Sequence, residues 1–322
     1  MNDQELARDE GLTHFAFAQP TAVPVTRQLP PLPELLGGRY HLETLLGVGG
    51  MGAVYRARDL LREQYGDPAP QVAVKVLNDD FAEYSDANAL LYGEFALTVR
   101  LRHPHIVRLH GFEVDRASER AFITLELLRG PTLDDLLCDR PEGLRWAELQ
   151  EIALPLLDAL HFAHVNGVLH GDIKPSNVIL TDNGLRLFDF GLGQPCEDLL
   201  PGLPRLSRSR FNAWTVRYAS LELLEEGLLT PAGDLYACAC LLYELATGKH
   251  PYRRLSAKQA RSLQIEPERP PDMPVAAWRV LRQALEIDPA QRQQDLGEWR
   301  ALWQTTAQPA RRWWQRLSPR ST

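Results

Sequence analysis

The spacing of apolar residues changes once along this chain, and that change constrains the fold more than any other feature of the sequence. From Tyr40 the apolar residues come in short runs rich in β-branched side chains, YHLETLL, AVYRARD and VAVKVLN, with one helical stretch, ANALLYGEFALTVRLR, among them. Two more strand-like runs follow, HIVRLHGFEV and AFITLELL. Beyond them the pattern becomes long amphipathic helices such as WAELQEIALPLLDALHFAHVNG and DLYACACLLYELATG. Strands gathered first and helices afterwards predict an α+β chain in two lobes, a small β-rich N-lobe with one main helix and a larger α-helical C-lobe. The 322 residues, 44% of them hydrophobic, are enough to fill both cores. The expected boundaries are 37–128 for the first lobe and 129–305 for the second. A leader over 1–36, with five prolines in PTAVPVTRQLPPLP, precedes them, and a basic Trp/Arg tail over 306–322 follows.

Charge and cysteine content remove several classes of function. A formal charge of −7 and a pI near 5.8 argue against a general nucleic-acid binder, which needs a net basic face. Cys138, Cys196, Cys238 and Cys240 lack the spacing of a zinc site and are expected to be small buried hydrophobes in a reducing compartment. The acidic start MNDQELARDEG has neither the positive flank nor the apolar stretch of a signal peptide, and no apolar run approaches the ~20 residues needed to span a bilayer. A cytoplasmic location is the expectation. The Arg-flanked Trp313 and Trp314 in the tail suit either a membrane interface or, as the commoner outcome for so short a stretch, packing on the domain.

Three constellations carry chemistry. The first is Gly47-Val48-Gly49-Gly50-Met51-Gly52, followed by Ala53 and Val54. Glycines without a Cβ let backbone N–H groups approach an anion, so a phosphate-covering loop is a reasonable reading. A dinucleotide fingerprint would require a helix directly after the loop, whereas AVYRARD continues as a strand. The second is Val72-Ala73-Val74-Lys75-Val76, which sets one lysine mid-strand just downstream of the glycines, with Glu94 on the next helix as a partner and Glu83 and Asp86 as competitors. The third is His170-Gly171-Asp172-Ile173-Lys174-Pro175-Ser176-Asn177, with Asp189-Phe190-Gly191 beginning twelve residues after Asn177.

With the third constellation the chain resembles the protein kinases, whose catalytic loop reads H-x-D-x-K-x-x-N and whose metal motif reads D-F-G, over about Arg39 to Leu302. Within them it is similar to the bacterial eukaryotic-like (Hanks-type) serine/threonine kinases. The resemblance implies a two-lobed protein-kinase-like fold and transfer of the γ-phosphate of ATP to Ser/Thr hydroxyls of proteins, with autophosphorylation. It implies that Asp172 accepts the hydroxyl proton, that Asn177 and Asp189 hold Mg²⁺ (or Mn²⁺), and that Lys75, oriented by Glu94, holds phosphate oxygens. It puts the loop from Gly47 to Gly52 over the phosphates and sandwiches the adenine between Val54, Ala73 and Ile179. Leu125 becomes the residue behind the base, and the backbone from Glu126 to Leu128 faces its edge. Lys174 matches the lysine that distinguishes Ser/Thr from Tyr kinases. Thr215, in Thr215-Val216-Arg217-Tyr218-Ala219-Ser220-Leu221-Glu222, contacts Asp172 and Lys174 by the same likeness. Glu222 pairs with Arg292, and Asp234 caps the catalytic loop. The partners implied are Ser/Thr-bearing proteins and a cognate phosphatase, and a homodimer through the β-rich lobe is left open.

The chain departs from the family pattern at a few positions. Gly171 stands where many kinases carry the Arg that grips an activation-loop phosphate, which weakens the case for switching by loop phosphorylation. Arg205, Arg208 and Arg210, in the exposed loop 199–209 and just after it, are local cations that could meet phosphate or an acidic substrate, as alternatives to a merely solvated loop. Leu221 and Trp214 replace a common proline and glycine, so an unusual peptide-docking surface is expected.

Overall fold

The computed structural model describes residues 32–49, 52–77, 87–191, 193–195, 215–292, 295–305 and 313–316. Gly50, Met51, Glu83, Asp86, Cys196, Trp214, the loop 199–209 with Arg205, Ser207, Arg208 and Ser209, and also Arg210, lie outside the described residues. In chain order the elements are β1 (Leu35–Leu36), β2 (Tyr40–Val48), β3 (Gly52–Asp59), α1 (Leu60–Gln64), β4 (Gln71–Leu77), α2 (Ala87–Thr98), β5 (Leu109–Asp115) and β6 (Arg120–Leu125). Then come α3 (Leu133–Asp139), α4 (Trp146–Val165), β7 (Val168–Leu169), a 3₁₀ turn (Pro175–Asn177), β8 (Val178–Thr181), β9 (Gly184–Leu187) and β10 (Gln194–Pro195). The remaining helices are α5 (Leu221–Glu226), α6 (Pro231–Thr247), α7 (Ala257–Ser262), α8 (Val275–Ala284) and α9 (Leu296–Gln304), with a last 3₁₀ turn at Trp313–Arg316.

The strand-spaced half forms a six-stranded antiparallel sheet in the order β1-β2-β3-β4-β6-β5. Alternation along β4 explains its two faces. Val72, Val74 and Val76 turn to one side, where they pack with Leu36, Tyr40, Ala57 and Phe122. Leu77 and Ile123 turn to the other and meet Leu90 and Leu91 of α2. Lys75 shares that second face, so the strand period itself delivers it to the side on which α2 lies. The sheet also takes in Leu35 and Leu36, inside the stretch read as leader. Leu36 is fully buried, pairs with Tyr40, and is followed by a Gly37 N–H that donates to Asp115 Oδ1 at 3.0 Å. The prolines stop at Pro33, so nothing prevents these two residues from joining a ladder.

The helical half is organised round α4 and α6. Ile152, Ala153, Leu156 and Leu160 of the first and Tyr236, Ala239, Leu241 and Leu242 of the second are solvent-free in one continuous core. Helix α6 is buried on nearly all its circumference, as expected of a helix that is apolar all round. Cys238 and Cys240 lie within it and are buried, but Cys138 is exposed, on the side of α3 away from the buried Leu133 and Leu136. The burial expected of the cysteines therefore fails for Cys138. In the tail, Trp314 is buried and donates its indole N–H to the Thr181 carbonyl at 3.4 Å. Trp313 donates to the Glu148 carbonyl at 3.3 Å and lies beneath the Arg140 guanidinium at 5.2 Å. Both indoles are committed to protein contacts, the packing alternative of the sequence reading. No described helix is long and apolar enough to cross a membrane.

One buried ion pair ties this half together. Arg292 reaches Glu222 with Nη1 at 2.6 Å and Nη2 at 3.0 Å, and also donates to the carbonyls of Ala232, Glu286 and Ile287. Its side chain is wholly inaccessible, and its guanidinium stacks on Tyr236 at 4.9 Å. Removing one partner strands the other charge, so Arg292→Ala is expected to lower the unfolding free energy by about 3–5 kcal/mol in urea titrations. Replacing both partners with apolar residues of similar volume should cost far less. Equal losses from the single and double replacements would contradict this account.

Candidate active site

The glycine run forms the β2–β3 hairpin. Gly47 pairs with Val54 and Val48 with Ala53, and the Gly49 N–H closes the turn on the Gly52 carbonyl at 2.7 Å. The chain leaves the turn as a strand and not as a helix, which excludes the dinucleotide-fold alternative. Gly52 is sterically required, because a Cβ there would lie 2.3 Å from the Val76 carbonyl oxygen. Val48, at the rim, is two-thirds exposed and has little around it.

On the strand next to this hairpin, where it pairs with Val54, Lys75 has its Nζ 2.7 Å from each carboxylate oxygen of Glu94 and 2.7 Å from Asp189 Oδ1. Three elements distant in sequence, β4, α2 and the segment after β9, thus meet on one ammonium. Gly191 makes room for the meeting, since a Cβ there would stand 3.1 Å from Glu94 Oε2 and 3.2 Å from Asp189 Oδ1. Asp189 adopts a left-handed backbone, φ 65°, uncommon for a residue with a side chain. Burial alone would lower the Lys75 pKa, but the charges of Asp189 and Glu94 override it and raise it above the ordinary value. The same ammonium, against the pull of burial, holds the Asp189 carboxyl at about 2. Glu94, the more enclosed of the two acids, is pushed upward by burial.

The catalytic-loop motif is built from the helical half. Asp234, in the first turn of α6, accepts the N–H groups of His170 and Gly171 at 2.8 Å each, and His164 Nε2 at 2.9 Å. Burial pushes its carboxyl up, yet the His164 hydrogen bond and charge, with the backbone donors, hold its pKa below the ordinary carboxylate value. Gly171 has φ +82°, where a side chain would be strained. His170 is fully buried against Phe190, 4.5 Å between ring centres, and burial lowers its pKa so that the ring stays neutral. Its Nδ1 accepts the Asp172 N–H at 3.2 Å, which puts the ring proton on Nε2, 3.1 Å from the Phe188 carbonyl.

Asp172 is held on several sides. Lys174 Nζ stands 2.7 Å from Oδ2, and the Thr215 hydroxyl donates to Oδ1 at 3.1 Å. Lys174 Nζ also donates to Thr215 Oγ1 at 3.1 Å. The Asn177 amide N–H₂ donates to the Asp172 carbonyl at 2.8 Å and to Oδ2 at 3.2 Å. With its nitrogen so engaged, Asn177 has its amide oxygen left as an acceptor. That oxygen and Asp189 Oδ2 are hard donors of the kind a Mg²⁺ takes, so the residues present fit such an ion.

On the other wall, Leu125 pairs with Ala73 across β6 and β4. Ile179 on β8 is half-buried between the enclosed Val178 and Leu180, so alternation turns it to the opposite face of the β8–β9 hairpin. Glu126 has a structural task the sequence did not show. Its carboxylate accepts the Arg108 N–H at 2.8 Å and lies 3.5 Å from Arg186. Gly130, φ +142°, lets the chain cross β8, where a Cβ would be 1.9 Å from the Leu180 carbonyl oxygen. The expected residues Lys75, Glu94, Asp172, Lys174, Asn177, Asp189 and Thr215 fall into two hydrogen-bonded groups, joined through the catalytic loop and the β8–β9 hairpin. Asp189 as a direct ligand of Lys75, Gly191 as the space for it, and His164 behind Asp234 were missed. Only Gly191 had a local signal, its place in the D-F-G run.

Comparison with known proteins agrees with this geometry. The protein kinase domain family model matches residues 40–299. The serine/threonine-protein kinase PkaA of Streptomyces coelicolor is 34% identical over 275 residues, 80% of this chain and 48% of that protein. PknH of Mycobacterium tuberculosis is 34% identical over 222 residues, 68% of this chain and 33% of that protein. The drp72 kinase of Corynebacterium efficiens is 31% identical over 279 residues, 83% of this chain and 50% of that protein. The chain spans a third to a half of the length of these relatives.

The Lys75 cluster predicts a pH signature. In Lys75→Met, Asp189 loses the charge that holds its carboxyl low, and the buried Glu94 is left with no cation, so its folded pKa rises further above the unfolded one. Stability from such groups is present at low pH and lost as pH climbs through the folded values. The variant's stability deficit relative to wild type should therefore widen between pH 5 and pH 8, by ~1–3 kcal/mol. Thermal unfolding at a series of pH values measures it, and a deficit independent of pH would show that the acids do not depend on Lys75.

Proposed function

The chain belongs to the protein kinase family, and from that premise we propose that it is an ATP-dependent serine/threonine protein kinase. The observation that carries the reading is the pairing of two groups: Lys75, Glu94 and Asp189 joined at 2.7 Å, and Asp172 held by Lys174 and Thr215 at 2.7 and 3.1 Å. Phosphoryl transfer asks for positioning and charge neutralisation more than covalent participation, and these are what such side chains supply.

In this reading the N–H groups of the Gly47–Gly52 hairpin and the Lys75 ammonium hold phosphate oxygens, while Glu94 fixes the ammonium. Val54, Ala73 and Ile179 enclose the adenine, with Leu125 behind it. Among the described residues the Leu128 N–H and the Glu126 carbonyl take part in no backbone hydrogen bond, so both are open to the base edge. Asp172 orients a substrate Ser/Thr hydroxyl and accepts its proton, and Lys174 balances the charge. Asn177 and Asp189 would hold Mg²⁺ or Mn²⁺, which when bound neutralises charge on the phosphate oxygens. The reaction takes place in the cytoplasm on protein substrates, with a cognate phosphatase to reverse it.

A nucleotide-binding pseudokinase is the rival of another class. Its mark would be replacement of Lys75, Asp172, Asn177 or Asp189, and all four are present. Incubation with labelled ATP and Mg²⁺ or Mn²⁺ decides between them. Wild type is expected to label itself and a generic protein, and Asp172→Asn to be slower by roughly 10²–10⁴-fold. Lys75→Met should also lose most of its activity. Equal labelling by wild type and both variants would end the enzyme reading.

A further inference from the structure

Beside Asp172 the chain presents positive charge that nothing in the catalytic reading uses. Arg217 follows Thr215 by two residues, which limits their backbone separation to ~7 Å. Its guanidinium lies over the Tyr218 ring at 5.3 Å, and its Nε is buried with no hydrogen-bond partner among the described residues. The Tyr218 ring in turn packs on the buried His250, 5.4 Å between ring centres. His250 anchors the turn after α6: its Nδ1 accepts the N–H groups of Tyr252 and Arg254, and its carbonyl accepts that of Arg253.

That turn is unusual in its own right. Arg253 and Arg254 are consecutive, exposed, and both left-handed, φ 54° and 63°. Side chains of this size rarely adopt that backbone, and such outliers gather at functional surfaces. Lys249, one residue before His250, is exposed as well. Burial first, and then the charges of Arg217 and Arg254, depress the His250 imidazole to about 4, against a backbone hydrogen bond with Arg217 that raises it.

Acids among the described residues of the same half are already engaged. Glu244 accepts the Tyr218 hydroxyl, Glu225 pairs with Arg261 at 2.7 Å, and Asp172 is taken by Lys174. Arg217, Lys249, Arg253 and Arg254 meet no carboxylate among the described residues. In a chain whose net charge is −7, four cations that meet no carboxylate among the described residues run against the overall balance.

We propose that Arg217, Lys249, Arg253 and Arg254 form a specificity shelf that selects substrates whose phosphoacceptor Ser/Thr is flanked by acidic residues. The inference rests on the kinase reading above and adds the substrate class to it. A segment that offers its hydroxyl to Asp172 passes Thr215 and Tyr218, so its flanking carboxylates come within reach of the shelf. Guanidinium groups suit them, because two parallel N–H donors match one carboxylate.

The test uses the full chain and short peptides with one acceptor, flanked by Glu, by Gln or by Lys. The charge variant is Lys249→Gln, Arg253→Asn, Arg254→Asn; these side chains are exposed, and Asn tolerates the left-handed backbone. In wild type, KM for the Glu peptide should be about tenfold below that for the Gln peptide, with the Lys peptide worst, and the gap should shrink with added salt. In the variant the Glu and Gln peptides should converge, with unchanged KM for ATP and unchanged melting temperature. Equal use of all three peptides by wild type, or a Glu preference that survives in the variant, overturns the proposal. If no peptide is phosphorylated, the kinase reading is what fails, and fluorescence anisotropy then judges the shelf alone. Tighter binding of the Glu than of the Gln peptide by wild type, abolished in the variant, upholds it, and equal binding overturns it.

Discussion

A single ammonium shared by two carboxylates, one of them buried, is the constraint on which the rest of this molecule depends. Lys75 comes from the middle of the sheet, Glu94 from the helix packed on it, and Asp189 from the far side of the cleft. An unpaired charge in such a setting is costly, so each of the three holds its place only while the others hold theirs. The cluster therefore acts as a register mark between the two halves. It is supported by backbone contacts that cross in the same region, from the Val107 N–H to the Leu187 carbonyl at 2.9 Å and from the Leu187 N–H to the His105 carbonyl at 2.8 Å.

The second constraint lies in the helical half, where the charged groups that position the catalytic loop are themselves immobilised by the largest core. Asp234 is almost inaccessible because it sits on α6, the helix most enclosed by apolar neighbours. The loop gains rigidity from outside as well as from its own side chains: His170 and Gly171 offer backbone N–H groups to Asp234, while the His170 ring and the Asn177 amide hold the backbone of Asp172. Asp172 thus inherits its position from a helix more than sixty residues later in the chain.

How much of this was legible in the sequence depended on range. Alternation in Val72–Val76 and the long periodic helices disclosed the two halves, because those patterns are local consequences of burial. Lys75, Asp172, Asn177 and Asp189 stood out through their motifs. What could not be read were pairings across long separations that no spacing encodes, such as Asp189 on Lys75 across 114 residues or Glu126 folded back on Arg108. Leu35 and Leu36 were obscured by the prolines before them, although strand pairing needs only two free residues opposite Tyr40 and His41. Cys138 misled because cysteine is so often buried, whereas its place on a short amphipathic helix was decided by Leu133 and Leu136.

The indole of Trp314 rests on the carbonyl of Thr181, a contact that spans 133 residues of chain. Thr181 ends the strand β8, which begins directly after Asn177 and carries Ile179. The back of that hairpin is therefore sheltered by a segment that leaves the ribosome long after the hairpin itself. A nascent chain that has emerged only as far as α9 already contains every side chain of the cleft, yet one wall of it still lacks its outer cover. Such a non-local closure can form only after that last segment has emerged, so the cover of this wall is the final part of it to be put in place.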